Sequence, residues 1–391
     1  MKSLKQKFND MDKVLLFCVI VMIFYGLLNI VTASSREAFS QDVSIYYYFY
    51  RHSRMILIGV VVFLVLLKID TKDYDKYAVV GYITIFTILM VLLFSVDDFR
   101  GSKNWITILG VKFQPSEFAK PILIVSTAIL FEKFYKIIRT KDNKHFNHIG
   151  IILITGIIFP AIVFIQKDLG TSIILLGIFG FMFLTSPILK QDKFKIIVAT
   201  CITFIVLILV VLISGNKILT DEQMDRFDFY NPCSKYESSG YQICNGMIAI
   251  NDGSLTGLGI GKSKQKYSYI PEPHTDSVFA IIVEEYGLIF SLFIFGMYLI
   301  IIYRILNIAA SAKTIRNRYI ALGIAIYIFM HILINLGGLF AILPLTGVPL
   351  PFLSYGGTFT VTLIASIGVV ERIAIENKNE KIRIGEDVWK I

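Results

Sequence analysis

Ten apolar runs, most of them near 20 residues long, leave this chain few folds to choose from. They fall at about 14–33, 55–69, 77–96, 118–133, 148–165, 171–187, 195–213, 277–303, 317–343 and 353–371. A bilayer core takes roughly 20 residues of helix to cross, and helices satisfy their own backbone in lipid. The expected fold class is therefore an all-α integral membrane protein of about ten transmembrane helices. The runs at 55–69 and 118–133 are short and should extend into flanking polar residues. Composition agrees: 55% of residues are hydrophobic and only 17% charged, with a mean hydropathy of +0.68, far from a soluble domain. The first run lacks a small-residue cleavage site and reads as a retained span, not a signal peptide. No repeat or low-complexity tract divides the chain, so residues 1–391 read as one polytopic domain.

Orientation follows from the basic residues. With the amino terminus inside, most of the 38 lysines and arginines fall in inner segments. One short loop alone holds Lys133, Lys136, Arg139, Lys141 and Lys144. The expectation is an even number of spans with both termini cytoplasmic, and a large extracellular loop, 214–276, between helices 7 and 8. The net charge of +9 is mostly this inside bias. No basic patch interleaved with aromatics, and no nucleic-acid motif, argues for DNA or RNA as a partner; the bilayer is the expected environment.

Cysteine and histidine usage is sparse. Cys18 and Cys201 lie in apolar spans and read as small core residues. Cys233 and Cys244 sit in the outer loop, in an oxidising compartment; a disulfide and two separate thiols are both open. The histidines at 52, 145, 148, 274 and 331 are scattered, and no spacing in the chain matches a metal motif. No cofactor is implied, although a divalent cation bridging a pyrophosphate and a carboxylate is compatible with the chemistry below.

The outer side carries the unusual sequence. Tyr269-Ile-Pro-Glu-Pro-His-Thr-Asp276 runs directly into an apolar segment, which puts the Asp276 carboxylate at the lip of a membrane helix. An ionisable group there is costly and points to function. A carboxylate against an apolar wall suits a general base. His274 is a second titrating group, better suited to packing or hydrogen bonding. Glu284 and Glu285 lie off the Asp276 face on a helix and read as structural or cavity-lining acids. Arg100, Lys103, Lys112, Lys120 and Lys167, with Lys262, Lys264 and Lys266, could contact lipid headgroups or cradle a pyrophosphate, where cations stabilise a leaving group. Asp168 follows Lys167 and could orient one of them. Glu117 and Lys120 share a helix face, with Pro115 and Ser116 at the helix start and Ser116 as its candidate cap. The long loop also holds Arg226 and a cluster of glycines at 257, 259 and 261. That cluster is not a phosphate loop, because Thr256 stands where a glycine is required; tight turns or close backbone approach explain it better. Finally, Leu343-Pro-Leu-Thr-Gly-Val-Pro-Leu-Pro-Phe-Leu-Ser-Tyr-Gly-Gly357 is apolar yet too rich in proline for a helix. Irregular backbone at membrane depth must be buried in protein or line a cavity.

These residues together resemble the SEDS family of shape, elongation, division and sporulation proteins, the FtsW and RodA type. The matching motifs are Gln114-Pro-Ser-Glu-Phe-Ala-Lys120, Asp168-Leu-Gly-Thr171, Gly240-Tyr-Gln242, Pro271-Glu-Pro-His-Thr-Asp276, Glu284-Glu-Tyr-Gly287, Pro344-Leu-Thr-Gly347 and Pro349-Leu-Pro-Phe-Leu-Ser-Tyr-Gly-Gly357. They are ordered and span most of the chain. The resemblance implies a peptidoglycan glycosyltransferase of the bacterial cytoplasmic membrane. Its substrate would be lipid II, a disaccharide-pentapeptide on undecaprenyl pyrophosphate. The donor MurNAc anomeric carbon would be joined to the acceptor GlcNAc 4-hydroxyl with inversion. Asp276 aligns with the family's essential aspartate; Lys120 and Glu117 align with cavity residues, and Trp105 with an outer-loop position. Gln242, His274 and Ser354 fall inside the matching motifs and, with Arg226, are further candidates for binding substrate. Such proteins work with a class B penicillin-binding protein, which cross-links the glycan. The chain departs from the family pattern at Ser277, where an aromatic residue is usual, and at Thr358-Phe359, which replaces a serine pair. The run from Gly261 to Pro273 leans towards the division and sporulation branch.

Two other readings compete. A lipid II flippase would need alternating access and interrupted helices in both halves, whereas broken apolar sequence is strong in one half only. A non-catalytic scaffold for a penicillin-binding protein would have no need of Asp276.

Overall fold

Without water to bond, each apolar run closes its backbone as helix. The computed structural model describes residues 4–94, 104–108, 111–139, 145–214, 231–235, 240–268, 270–271 and 273–388. Seven helices carry the runs that precede the long loop: α1 (Lys13–Ala33), α2 (Tyr47–Leu66), α3 (Tyr74–Leu93), α4 (Pro115–Lys133), α5 (His145–Ile165), α6 (Leu169–Thr185) and α7 (Lys190–Ser214). The loop contributes α8 (Tyr241–Gly253), and α9 (Val278–Ala310), α10 (Ile315–Leu339) and α11 (Thr358–Val388) carry the last three runs. Among the described residues, seven helices are long and apolar enough to cross a membrane, and α6 is a shorter apolar one. The two short runs are extended as expected: α2 begins at Tyr47 and α4 at Pro115.

The helices are not equally central. The apolar stretches of α10 and α11 are 78% and 89% buried, against 17% for α2. α10 packs on α4, α6 and α9, and α11 packs on α2. α1 turns Phe17, Phe24 and Leu28 outward, as a lipid-facing helix does. Cys18 is buried in the core, but Cys201 is exposed on α7, so it is not the core residue its apolar setting suggested.

The bundle has a charged end and a cavity end. At the first, Asp12 caps α1 by accepting from Leu15 N–H at 3.0 Å and takes both ends of the Arg304 fork. Arg372 reaches Asp70 and Glu376, and Arg316 reaches Glu132 at 2.6 Å. These paired guanidinium contacts tie the ends of α1, α3, α4, α9, α10 and α11 together.

Two departures from regular helix shape the cavity end. Residues 343–357 run between α10 and α11 without helical structure, so the apolar runs at 317–343 and 353–371 stop short as helices. Protein groups serve this backbone: Asn335 Nδ2 donates to Val348 O at 2.8 Å, Tyr298 OH donates to Pro351 O, and Leu350 N–H donates to Ser354 Oγ at 2.7 Å. Gly26 of α1 lets the segment approach, since a Cβ there would stand 2.2 Å from Phe352 O.

The second departure breaks α9 at Gly287, with φ 85° and ψ 169°. The loop fills the break. Leu258 and Gly259 N–H donate to the carbonyls of Glu284 and Glu285, and Leu288 and Ile289 N–H donate to those of Ser254 and Leu255. Gly257, at φ +80°, lies where a Cβ would be 2.4 Å from Glu285 O. Gly257 and Gly259 of the glycine cluster thus meet a membrane helix, the close backbone approach that the sequence suggested. The two acids beside the break bind the same loop. Glu284 accepts from Ser263 Oγ and Lys264 N–H, and Glu285 pairs with Lys266 at 2.5 Å.

Candidate active site

A cavity of about 550 Å³ lies among the ends of α2, α4 and α6, the approach to α9, and residues 346–349 and 355–359. Three groups of polar side chains line it.

The first group is built on α4. Pro115 occupies the first turn, where its missing N–H costs nothing, and Gln114 is the cap position. Ser116, the expected cap, is instead one turn residue further in and fully buried. The helix spacing then stacks Glu117 and Lys120 on one face. Lys120 Nζ donates to Glu117 Oε1 at 2.7 Å and lies 3.1 Å from His331 Nε2 of α10. Both Lys120 and His331 are fully buried within the protein yet line the cavity wall. A pair this enclosed holds only while both charges remain.

The second group centres on Asp168. α5 ends at Ile165, and Lys167 just beyond it lies in the left-handed region, φ 64°, a conformation unusual for a residue with a side chain. The chain turns at once into α6, which Asp168 caps by accepting from Thr171 N–H at 3.0 Å. A small hairpin supplies its other partners. β1 (Ile106–Ile108) pairs antiparallel with β2 (Val111–Phe113), Ile106 opposite Phe113. That register brings the two feet of the hairpin together, and Asn104 and Gln114 both donate to Asp168 Oδ2, at 2.6 and 2.9 Å. Trp105, beside Asn104, lines the cavity with exposed Lys167.

The third group holds Asp276, half-buried just before α9. Gln242 of α8 donates to Asp276 Oδ1 at 3.1 Å and to Ser277 Oγ at 3.0 Å. Ser277, where the family pattern has an aromatic residue, therefore shares the amide that orients the carboxylate. Asn335 Nδ2 donates to Asp276 O at 2.7 Å, fixing the backbone to α10. Two residues earlier, His274 is buried against Tyr48 and Tyr355, with Nδ1 3.5 Å from Glu37 Oε2. Glu37 also accepts from Tyr48 OH at 3.0 Å. The aromatic cluster thus clamps the approach to Asp276.

The site therefore gathers a carboxylate at the lip, an enclosed ammonium and an exposed one. The family model describing cell cycle proteins of the FtsW, RodA and SpoVE type matches residues 12–379. The chain belongs to this family. Among FtsW/RodA/SpoVE relatives, the probable peptidoglycan glycosyltransferase FtsW of Bacillus subtilis (strain 168) is 30% identical, over 97% of this chain and 95% of its own length. The peptidoglycan glycosyltransferase MrdB of Escherichia coli (strain K12) is 31% identical over 94% of each chain. Solved structures share the fold. A chain from work on structural coordination of polymerization and crosslinking by a peptidoglycan synthase complex superposes with a TM-score of 0.71 at 18% identity, covering 94% of this chain and 98% of that one. The Thermus thermophilus rod shape determining protein RodA gives 0.66 at 19% identity, over 93% and 96%.

Of the residues singled out in the sequence, Trp105, Glu117, Lys120, Lys167, Asp168, His274 and Asp276 line the one cavity. Gln242 stands behind them as a partner of Asp276. Ser354 does not line it; its hydroxyl serves the turn at Leu350. Lys262, Lys264 and Lys266 are not in its wall either. Arg100, Lys103 and Arg226 lie outside the described residues. Cys233 and Cys244 are joined as a disulfide that ties residues 232–235 to α8, the helix that carries Gln242. Among the described residues, no group of three or more His, Cys, Asp or Glu side chains is placed to hold a metal ion. Sequence reasoning gave no role to Gln114, which opens a matching motif, or to His331, and did not single out Glu37, Asn104 and Asn335. For His331 a signal existed: an ionisable ring in mid-span needs a reason to be there.

Proposed function

We propose that this chain polymerises lipid II into glycan strands at the outer face of the bacterial cytoplasmic membrane, with both termini in the cytoplasm. The observation that carries this is the sharing of one cavity by Asp276 with Lys120 and Lys167. The acceptor GlcNAc 4-hydroxyl gives its proton to the Asp276 carboxylate as its oxygen attacks the donor MurNAc anomeric carbon. The bond from that carbon to pyrophosphate breaks with inversion, and undecaprenyl pyrophosphate leaves with the electron pair. Gln242 holds Asp276 Oδ1, so the base is oriented before substrate arrives. Lys120 and Lys167 act where negative charge grows on the leaving group, the place at which a fixed cation helps most. Trp105 offers an apolar face to a sugar or lipid. A divalent cation, where used, would take most of its ligands from the pyrophosphate and water, as hard cations do at phosphate sites. A class B penicillin-binding protein is the proposed partner, in keeping with the synthase complex whose chain shares this fold. Residues 1–391 act as one membrane domain, the 214–276 loop serving the site from outside.

The test is glycan synthesis from purified lipid II, by wild type and Asp276→Ala, with a partner whose transpeptidase site is inactivated. Glycan and released undecaprenyl pyrophosphate from wild type alone are the expected products. Transbilayer movement of lipid II without either product would favour a flippase. Equal product from both proteins would remove Asp276 from the reaction.

A further inference from the structure

Among the described residues, Glu117 is one of two close polar neighbours of the Lys120 ammonium. The other, His331, has no part in the mechanism above. Its ring is fixed from several sides. Nδ1 lies 3.1 Å from Pro349 O, and a carbonyl only accepts, so Nδ1 carries the hydrogen. Nε2 then offers a lone pair, and Lys120 Nζ stands 3.1 Å from it. The ring stacks on Phe359 of α11 at 4.5 Å and 18° and meets the Tyr327 ring edge-on at 5.0 Å. Four parts of the fold thus set one imidazole: α10 carries it, residues 343–357 take its hydrogen, α11 stacks on it, and α4 supplies the ammonium.

An ammonium has three N–H donors. Glu117 Oε1 takes one at 2.7 Å and His331 Nε2 takes a second. The rings of Tyr327 and Phe359 stand 5.7 Å from Nζ and attract the cation by their faces. We infer that His331 is a positioning residue: a neutral acceptor that, with Glu117, spends two N–H bonds of Lys120 and presents the third to an anionic phosphoryl oxygen of a lipid pyrophosphate in the cavity. This rests on the glycosyltransferase reading. A neutral acceptor suits the task. A second carboxylate would cancel the charge that the leaving group needs, and an apolar residue would let the long lysine chain swing. The same ring couples Lys120 to the irregular segment through Pro349, so movement of that segment would re-aim the ammonium.

Two substitutions separate this role from simple packing. In His331→Gln the side-chain amide reaches the position of Nε2 and keeps an acceptor for Lys120. In His331→Asn it reaches the position of Nδ1 and keeps only the contact to Pro349 O. The kcat and KM for glycan synthesis are measured on the full chain with its partner, alongside melting temperature. His331→Asn is expected to lose about 10²-fold in kcat, the size of loss that a misplacement of about 1 Å can cause. His331→Gln should retain most of the wild-type rate at a similar melting temperature. The reverse order, or equal loss in both, would overturn the proposal. A second readout does not depend on turnover: binding of undecaprenyl pyrophosphate to the solubilised proteins. Weaker binding by His331→Asn but not by His331→Gln supports the assignment. Equal binding by all three overturns it, whether or not the chain polymerises lipid II. Wild type that binds in the expected order but makes no glycan would remove the glycosyltransferase reading and leave the anion-directing role of His331 standing.

Discussion

Among the described residues, two lysines are buried almost completely against a glutamate, and they stand in different surroundings. Lys120 meets Glu117 at 2.7 Å, and Lys266 meets Glu285 at 2.5 Å, each lysine side chain 1% exposed. By pairing and burial alone they are equivalent. The first is reached by the cavity that holds Asp276; the second is not. Lys266 and its neighbours instead lock the loop onto the broken α9, where Gly287 opens the helix to Leu258 and Gly259. An enclosed ion pair is therefore weak evidence of function unless it borders the cavity that holds the candidate base, and the same chemistry elsewhere holds a chain in place.

The comparison breaks first at Lys120. In Lys120→Met, Glu117 is left buried without its cation, which costs about 3–5 kcal/mol, and glycan synthesis should fall to background. Thermal melting and the polymerisation assay read the two effects separately. Lys266→Met should carry a similar stability loss, about 3–5 kcal/mol, because Glu285 is stranded in turn. Its activity per folded molecule should nevertheless stay close to wild type. If Lys266→Met is as inactive as Lys120→Met while still folded, the distinction between the two pairs fails.

Smaller changes sharpen the same contrast. Gly287→Ala forces a side chain into a positive-φ position and within 2.3 Å of Leu255 O. A loss of about 1–3 kcal/mol is expected, with proteolysis at the loop as a sensitive reporter. Removing the Cys233–Cys244 bridge by Cys233→Ser, Cys244→Ser should cost about 2 kcal/mol and lower kcat modestly, since α8 positions Gln242. Unchanged melting in the double variant would show that the bridge contributes nothing to holding α8.

Much of this was legible in the sequence, and for a plain reason: length and apolarity decide whether a segment can cross lipid, so the helices could be read from their runs. Asp276 could be read because a lone carboxylate abuts an apolar segment. The exact ends of α10 and α11 could not, because the apolar character of residues 343–357 continues where the helix does not. The break at Gly287 was hidden too. One glycine in a helical pattern is a weak signal, and its hydrogen-bond partners lie about thirty residues upstream. Lys266 was grouped with Lys262 and Lys264 as a contact for lipid headgroups or a pyrophosphate, because nothing local shows that Glu285 will cover it. His331 has no charged residue near it in sequence; its meaning arises only when α4 brings Lys120 to α10. Asp168 was visible beside Lys167, but its place as the cap of α6 was not, and the amides that orient it come from the feet of a hairpin.

Asp276→Asn is the most direct test of the whole account. The substitution keeps the size of the side chain and an oxygen for Gln242, and removes only the capacity to take a proton. Glycan synthesis by the purified protein with its partner, compared at equal folded fraction, should fall by about 10²- to 10⁴-fold, the range for loss of a general base. A rate within experimental error of wild type would contradict the central claim that the carboxylate at the lip of α9 drives the reaction.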